Sequence, residues 1–211
     1  MKKQMLAVVV CGALLLNACK KDDDVQKPVG IPYKLDQGAK IEWKGKAADG
    51  NSNWGTIDVE GTQNSEGFDF DVLNKEIMGG TFTIPVSSIN VVNLPPNLKP
   101  VLEGHLKTAD FFYAVLHPNV TFKIHSGKPE NTSGSATNYL IKGEMTLLGN
   151  AHPLNFPALV TITDKTLNIK ATFSFNQTIW GMNYHVDPSY PEKDRIVPGI
   201  EVKFNLTAQV K

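Results

Sequence analysis

The last ten residues, VKFNLTAQVK (Val202–Lys211), change character at every step: Val202, Phe204, Leu206, Ala208 and Val210 alternate with Lys203, Asn205, Thr207 and Gln209. Successive side chains of a β-strand point to opposite faces, so this is a strand with one dry face and one wet face. Working outward, the same alternation runs through Leu167, Ile169, Ala171, Phe173 and Phe175, through Tyr139, Ile141, Gly143, Met145 and Leu147, and through Val120, Phe122 and Ile124. Further strands are predicted at Ile41 and Trp43, Ile57 and Val59, Phe68 to Val72, Phe82 to Val86, and Leu154 to Ile162. Turn chemistry separates them at Asp49-Gly50, Ser65-Glu66-Gly67, the Gly127–Gly134 stretch, Gly149-Asn150 and Asp164-Lys165. About eight or nine hairpin-linked strands define an all-β domain, a sandwich or a closed antiparallel barrel.

One stretch departs from the pattern. Between Pro96 and Phe112, Leu98, Val101, Leu102, His105 and Leu106 fall at helical spacing, which predicts a short crossing helix able to cap one end of a barrel. Eight strands enclose a bore that side chains either fill or leave open to one small ligand, and both outcomes use the same alternation. The inward set is rich in Phe, Ile and Leu, so an open bore would be apolar and would take an apolar guest.

At the other end of the chain, Lys2 and Lys3 precede an uncharged apolar run from Met5 to Leu16, which has the anatomy of a signal peptide and is too short to span a bilayer comfortably. Leu16-Asn17-Ala18-Cys19 resembles the bacterial lipobox, which makes residues 1–18 a lipoprotein signal peptide and Cys19 the acylated first residue of the mature chain. Cys11 lies inside the apolar run and leaves with the leader, so no intramolecular disulfide is expected. Residues 19–30, with the KKDDD cluster and Pro28, read as a charged flexible tether, and residues 31–211 as one domain. The expected location is the cell envelope, lipid-anchored through Cys19 at the outer membrane, on the periplasmic face or at the cell surface. Charge after cysteine resembles surface lipoproteins of the Bacteroidetes type. Basic and acidic residues number 21 each, and removal of the leader takes two lysines away. No basic excess is left to track a nucleic-acid backbone, so that partner is not expected.

Two stretches resemble the YceI family of small envelope barrels. The first joins GGTFTIPVSSINVVN to LEGHLKTADFFYAVLHPNVTFKI between Gly79 and Ile124, with Ser88-Ile89, the His105–Phe112 segment and Pro118 in place. The second is YLIKGEMTLLGNAHPLNFPALV, Tyr139 to Val160, with Gly143, Leu147, Gly149 and Pro153. The resemblance implies a lipocalin-like antiparallel barrel with an elongated apolar cavity and, for some members, binding of polyisoprenoid or other long-chain amphiphiles. The chain departs from the family at two places. Asn53-Trp54-Gly55 stands where members often carry His-x-Gly, and Asn176-Gln177 where they carry Asp-Arg.

No catalytic constellation emerges from the residues. His105, His117, His125, His152 and His185 lack metal-site spacing, Glu103 and Asp110 suit capping or solvation of the crossing helix, and neither a nucleophile elbow nor a phosphate loop occurs. No enzyme, no cofactor and no metal are therefore expected. The leading expectation is a binding protein that takes a hydrophobic small molecule, an isoprenoid or another lipid, into the barrel. Its expected lining is Phe82, Ile84, Phe122, Ile124, Ile141, Met145, Phe173, Phe175, Phe204 and Leu206, with the amphipathic Trp180 and Tyr184 at the rim. The alternatives are a filled barrel that works by its outer surface as an interaction module, and after it an enzyme acting on an amphiphile. Oligomeric state is not legible in the residues.

Overall fold

Each alternating segment forms a strand, and all the pairings are antiparallel. The computed structural model describes residues 30–61, 67–130 and 136–211. In chain order the elements are β1 (Gly30–Leu35), β2 (Lys40–Lys46), β3 (Ser52–Asp58), β4 (Glu60–Gly61), β5 (Gly67–Asp71), β6 (Glu76–Pro85), β7 (Asn90–Val91), helix α1 (Lys99–Leu106), β8 (Asn119–Pro129), β9 (Tyr139–Leu147), β10 (Asn150–Ile162), β11 (Thr166–Asn176) and β12 (Gly199–Val210). The proposed leader, Cys19 and nearly all of the tether lie outside the described residues.

The sheet runs β1-β5-β6-β8-β9-β10-β11-β12 and returns to β1 through Tyr33↔Val210, Lys34↔Gln209 and Leu35↔Ala208, closing an eight-stranded barrel. Closure removes the unpaired edges that an open sheet would present. β12 also pairs along its first half with β2, from Glu201↔Lys44 to Phe204↔Ile41. β1 and β2 are thus two halves of one bent stave. On the far side, β4 and β5 share the edge of β6 in the same way, through Gly61↔Phe82 and Phe68↔Gly80.

Strict alternation is interrupted where the barrel bends. The register of β8 slips between Ile124 and Ser126, so that Gly127 takes an inward place opposite Ile141 although it is an odd number of residues from Ile124. A bulge of this kind bends the strand and strengthens its twist. Gly127 therefore belongs to the strand, not to the turn its composition suggested. A Cβ there would lie 2.7 Å from Ile141 Cδ1, so glycine is required for close packing. In β6 a parallel change of parity separates inward Ile77 from inward Phe82, and Gly80 accommodates it with φ of 150°.

The two ends of the barrel differ. At one, which contains Gly30, the β5–β6 and β10–β11 turns and Val210, the rings of Tyr33 and Phe68 stack at 5.8 Å, Phe70 meets Tyr33 edge-on, and Tyr139 donates its hydroxyl to Lys75 O at 2.7 Å. At the other, the chain from Val86 to Pro118 crosses over, with α1 as its centre, and residues 177–198 fold back between β11 and β12. The helix fits the predicted crossing segment, begins with Pro100 in its first turn, and its Glu103 accepts from Val91 N at 2.8 Å.

Val72, expected to face inward, is exposed, because β5 ends at Asp71. The Asp71 carboxylate accepts from Asn74 Nδ2 at 2.7 Å, Leu73 N at 2.9 Å and Asn74 N at 3.2 Å, and so holds the turn. The Asn74 side chain, with the two turn amides, keeps this carboxyl below the usual carboxylate range despite the opposing effect of burial. A lowered folded-state pKa gives stability that is present above the unfolded value and lost as pH falls through the folded one. Asp71→Ala is therefore expected to melt below the parent at neutral pH, with the gap closing on acidification below about pH 4; thermal unfolding across a pH series checks this.

Candidate ligand-binding site

Inside the barrel lies a cavity of about 410 Å³. Its position follows from the register. Phe173 pairs with Val202 and Val202 with Trp43, while Phe204 pairs with Ala171 and with Ile41, so each rung sends its side chains into the bore. The middle is aromatic: Phe156 stacks on Phe173 at 4.4 Å and meets Phe204 edge-on at 5.8 Å, with Phe122 tilted against it at 5.6 Å. Gly143, an inward position on β9, makes room for Phe122, since a Cβ there would fall 2.4 Å from Phe122 Cζ.

The bore is blind at one end. Tyr33, Phe70, Ile77, Tyr139 and Leu167 are buried beneath the cavity without lining it, and they form the plug. Toward the helical end the wall is completed by Leu102 and Leu106 of α1, then Phe111, Phe112, Met182 and Ile196. Most of the polar lining clusters there: Lys46, Asn51, Ser52 and Asn53 of the β2–β3 hairpin, Gln177 and Lys193, with Thr207 lower down. The hairpin is tied to the returning segment by Ala48 N to Arg195 O and Val197 N to Lys46 O, both 2.8 Å. Lys46 pairs with Glu201, and its hydrogen bond, more than the added charge of Lys46 and Lys44, holds the Glu201 carboxyl below its usual range.

Phe82, Ile84, Phe122, Ile124, Ile141, Met145, Phe173, Phe175, Phe204 and Leu206 all line the cavity. Trp180 and Tyr184 do not, and their expected rim position is corrected. Trp180 is 2% exposed, packs edge-on against Phe175 at 5.4 Å, and donates Nε1 to Met145 O at 2.8 Å. It is a buried pillar that fastens the turn after β11 to β9. Tyr184 belongs to an aromatic stack outside the bore, between His105 at 5.0 Å and His185 at 3.9 Å. Sequence reasoning passed over Trp43 and Gln177, which line the bore. Both carried a signal: Trp43 follows inward Ile41 by two, and Gln177 follows inward Phe175 by two.

Among the described residues, no group of three His, Cys, Asp or Glu side chains converges as a metal site. His105 Nε2 lies 2.9 Å from Asp110 Oδ2 on the outside of the cap, away from the cavity lining. No described helix is long and apolar enough to cross a membrane.

A closed eight-stranded barrel with an apolar bore, plugged at one end and capped by a helix at the other, defines a lipocalin-like hollow barrel. Within that class the chain belongs to the YceI family, whose YceI-like domain matches residues 24–208. Solved structures agree on the fold. BcnA from Burkholderia cenocepacia is 16% identical with a TM-score of 0.57, over 80% of this chain and 95% of that one. A polyisoprenoid binding domain from Saccharophagus degradans is 12% identical with a TM-score of 0.60, over 86% and 99%. The YCEI protein of Campylobacter jejuni is 18% identical with a TM-score of 0.52, over 73% and 82%. No curated protein matches the chain.

If Trp180 is a pillar and not a rim residue, Trp180→Phe should cost about 1 kcal/mol of stability through the lost hydrogen bond and leave uptake of an apolar fluorophore unchanged. Denaturant unfolding and titration with N-phenyl-1-naphthylamine read the two effects separately.

Proposed function

We propose that this protein is a non-catalytic, membrane-anchored binding protein of the cell envelope that holds the tail of a long-chain hydrophobic molecule, an isoprenoid or another lipid, in its barrel. The observation that carries the reading is the continuous apolar cavity of about 410 Å³, within the size range of small-molecule sites. A cavity of this kind is costly to keep empty, since each side chain facing it forgoes dispersion contacts. The description of the Saccharophagus degradans relative as a polyisoprenoid binding domain supports the same ligand class. The cavity weighs against the filled-barrel alternative, and the aromatic middle of the bore, with most of its polar lining gathered at one end, supports binding without catalysis.

Anchoring rests on the lipobox-like segment ending at Cys19. With about eleven tether residues the domain would reach roughly 20 Å from the bilayer. Gly30 lies at the plugged end, so the mouth would face away from the anchoring membrane, and sequestration or presentation at that surface fits better than extraction from it.

Organic extraction of natively purified protein followed by mass spectrometry is expected to return a long-chain compound in stoichiometric amount. Phe173→Trp, which puts a larger ring into the middle of the bore and takes up cavity space, is expected to weaken uptake of N-phenyl-1-naphthylamine at least several-fold. Repeatedly empty protein together with unchanged uptake by that variant would overturn the reading. Cys19→Ala is expected to move the protein from the membrane to the soluble fraction with its extractable ligand retained; a variant that stays membrane-bound would refute the anchor.

A further inference from the structure

The outer face of the plugged end carries apolar surface that the barrel does not use. β5 and β6 are joined there by Val72-Leu73-Asn74-Lys75, and the tip of this turn is aliphatic. Leu73 is 72% exposed and Val72 54%. Gly, Pro, Asn, Asp and Ser dominate turns of this kind. Here two adjacent aliphatic side chains project instead, from a backbone that the buried Asp71 carboxylate holds at Leu73 N and Asn74 N. Elsewhere on the same rim, Ile162 and Val210 are in register with the inward Leu167 and Tyr33, yet both are exposed, so the underside of the plug carries apolar surface as well.

Single exposed aliphatic residues are ordinary on a protein surface, and the capped end has its own in Val115 and Leu116. The path of the chain separates the two ends. It enters the barrel at Gly30, in register with Asp71 and so next to Val72, and a Cβ on Gly30 would lie 3.4 Å from Sδ of the exposed Met78. About eleven residues lead from Cys19 to Gly30, a root-mean-square reach of roughly 20 Å. The 12 residues of β12 span about 40 Å along the strand and, at the usual tilt of barrel strands, about 30 Å along the axis. The tether therefore brings the Val72-Leu73 tip to the anchoring membrane and leaves Val115 and Leu116 beyond its ordinary span.

We infer that the plugged end is a bilayer seat, in which Val72 and Leu73 enter the interfacial layer of the membrane that holds Cys19 while Ile162 and Val210 rest against it. The inference rests on the anchor proposed above and adds a second contact, which turns a flexible leash into a fixed posture. A pair of aliphatic side chains holds a domain weakly by itself, but the first attachment supplies a high effective concentration for the second. The attraction is apolar, not ionic. At this end Lys75, Lys128, Lys165 and Lys211 stand beside Asp69, Glu76, Glu130 and Asp164, with Lys128 Nζ 3.1 Å from Glu76 Oε1. No basic excess is present to require anionic lipid. Lys75, beside the tip, can lay its stem along the interface and keep its ammonium group in water.

The test uses the full chain, produced in a bacterium that acylates lipoproteins and added to phosphatidylcholine vesicles. The chain has two cysteines, Cys11 and Cys19. On the anchor reading the first leaves with the leader and the second is acylated, so Leu73→Cys and, at the other end, Val115→Cys each supply one free thiol for the fluorophore NBD. Both positions are exposed, and thermal unfolding of either variant should match the parent. On vesicles the label at position 73 is expected to shift to the blue, brighten several-fold and be quenched by phosphatidylcholine carrying a doxyl group near the head of its acyl chain, at low and at high salt. The label at position 115 should keep its aqueous emission. With the label moved to Val72→Cys, adding Leu73→Asp should remove most of the quenching while the protein stays on the vesicles. An aqueous spectrum at position 73, loss of its shift at high salt, or quenching at position 115 as strong as at 73 would overturn the seat and leave the anchor intact. So would a blue shift at position 73 that doxyl lipid does not quench, the result if a second copy or the tether covers the tip. Label taken up by the unsubstituted chain, together with its loss from the vesicles, would instead remove the anchor and the seat with it.

Discussion

The barrel depends on a single strand holding three neighbours. β12 pairs along its whole length with β11 and divides its other edge between β1 and β2. Backbone donors and acceptors buried without partners are costly, so a strand that satisfies both of its edges fixes whatever lies beside it. Closure through β12 sets the bore's circumference, and its register with Trp43, Ile41, Phe173 and Ala171 decides which side chains share a rung. The aromatic middle, the cavity around it and the uneven ends all follow from that register. The bend between β1 and β2 lets the same stave turn toward the plug below and the hairpin mouth above.

Much of this was legible as alternation. Val202 to Val210, Leu167 to Phe175 and Tyr139 to Leu147 displayed both faces of their strands, and ten inward residues chosen from such runs line the cavity. The failures occur where geometry breaks the two-residue period or where chemistry outweighs it. Gly127 looked like a turn residue, yet it sits in a strand because the bulge at Ile124 and Ser126 brings it against Ile141. β1 carries too short and too proline-marked a sequence, GIPYKL, to announce itself, and it is recruited by pairing with β5 and β12. Trp180 and Tyr184 were placed at a rim on amphipathic character alone. Which of two aromatic residues turns inward after a strand ends is set by the path of the following chain, and no periodicity reports that path. Gln177 was overlooked for the opposite reason, since its period was right and its polarity argued against an inward place.

The same contrast separates the two kinds of polar burial. Asp71 is buried with three donors around it, and its role is to shape a turn. Trp43 Nε1 is buried without such company, on a residue that lines the cavity. A polar group of the first kind completes the fold, whereas the second kind is a donor that the fold leaves without a partner.

The aromatic plug has a further consequence. A bore sealed by Tyr33, Phe70 and Tyr139 would act as a depth gauge for a chain bound in it. With a guest seated against that floor, each methylene too many is pushed back toward water, forfeiting about 0.8 kcal/mol, and each one too few leaves a void against Phe68 and Leu35. A tunnel open at both ends would be indifferent to length. In the binding role proposed above, this barrel would instead convert the position of a few rings into selection among chains that differ in nothing but their number of carbons.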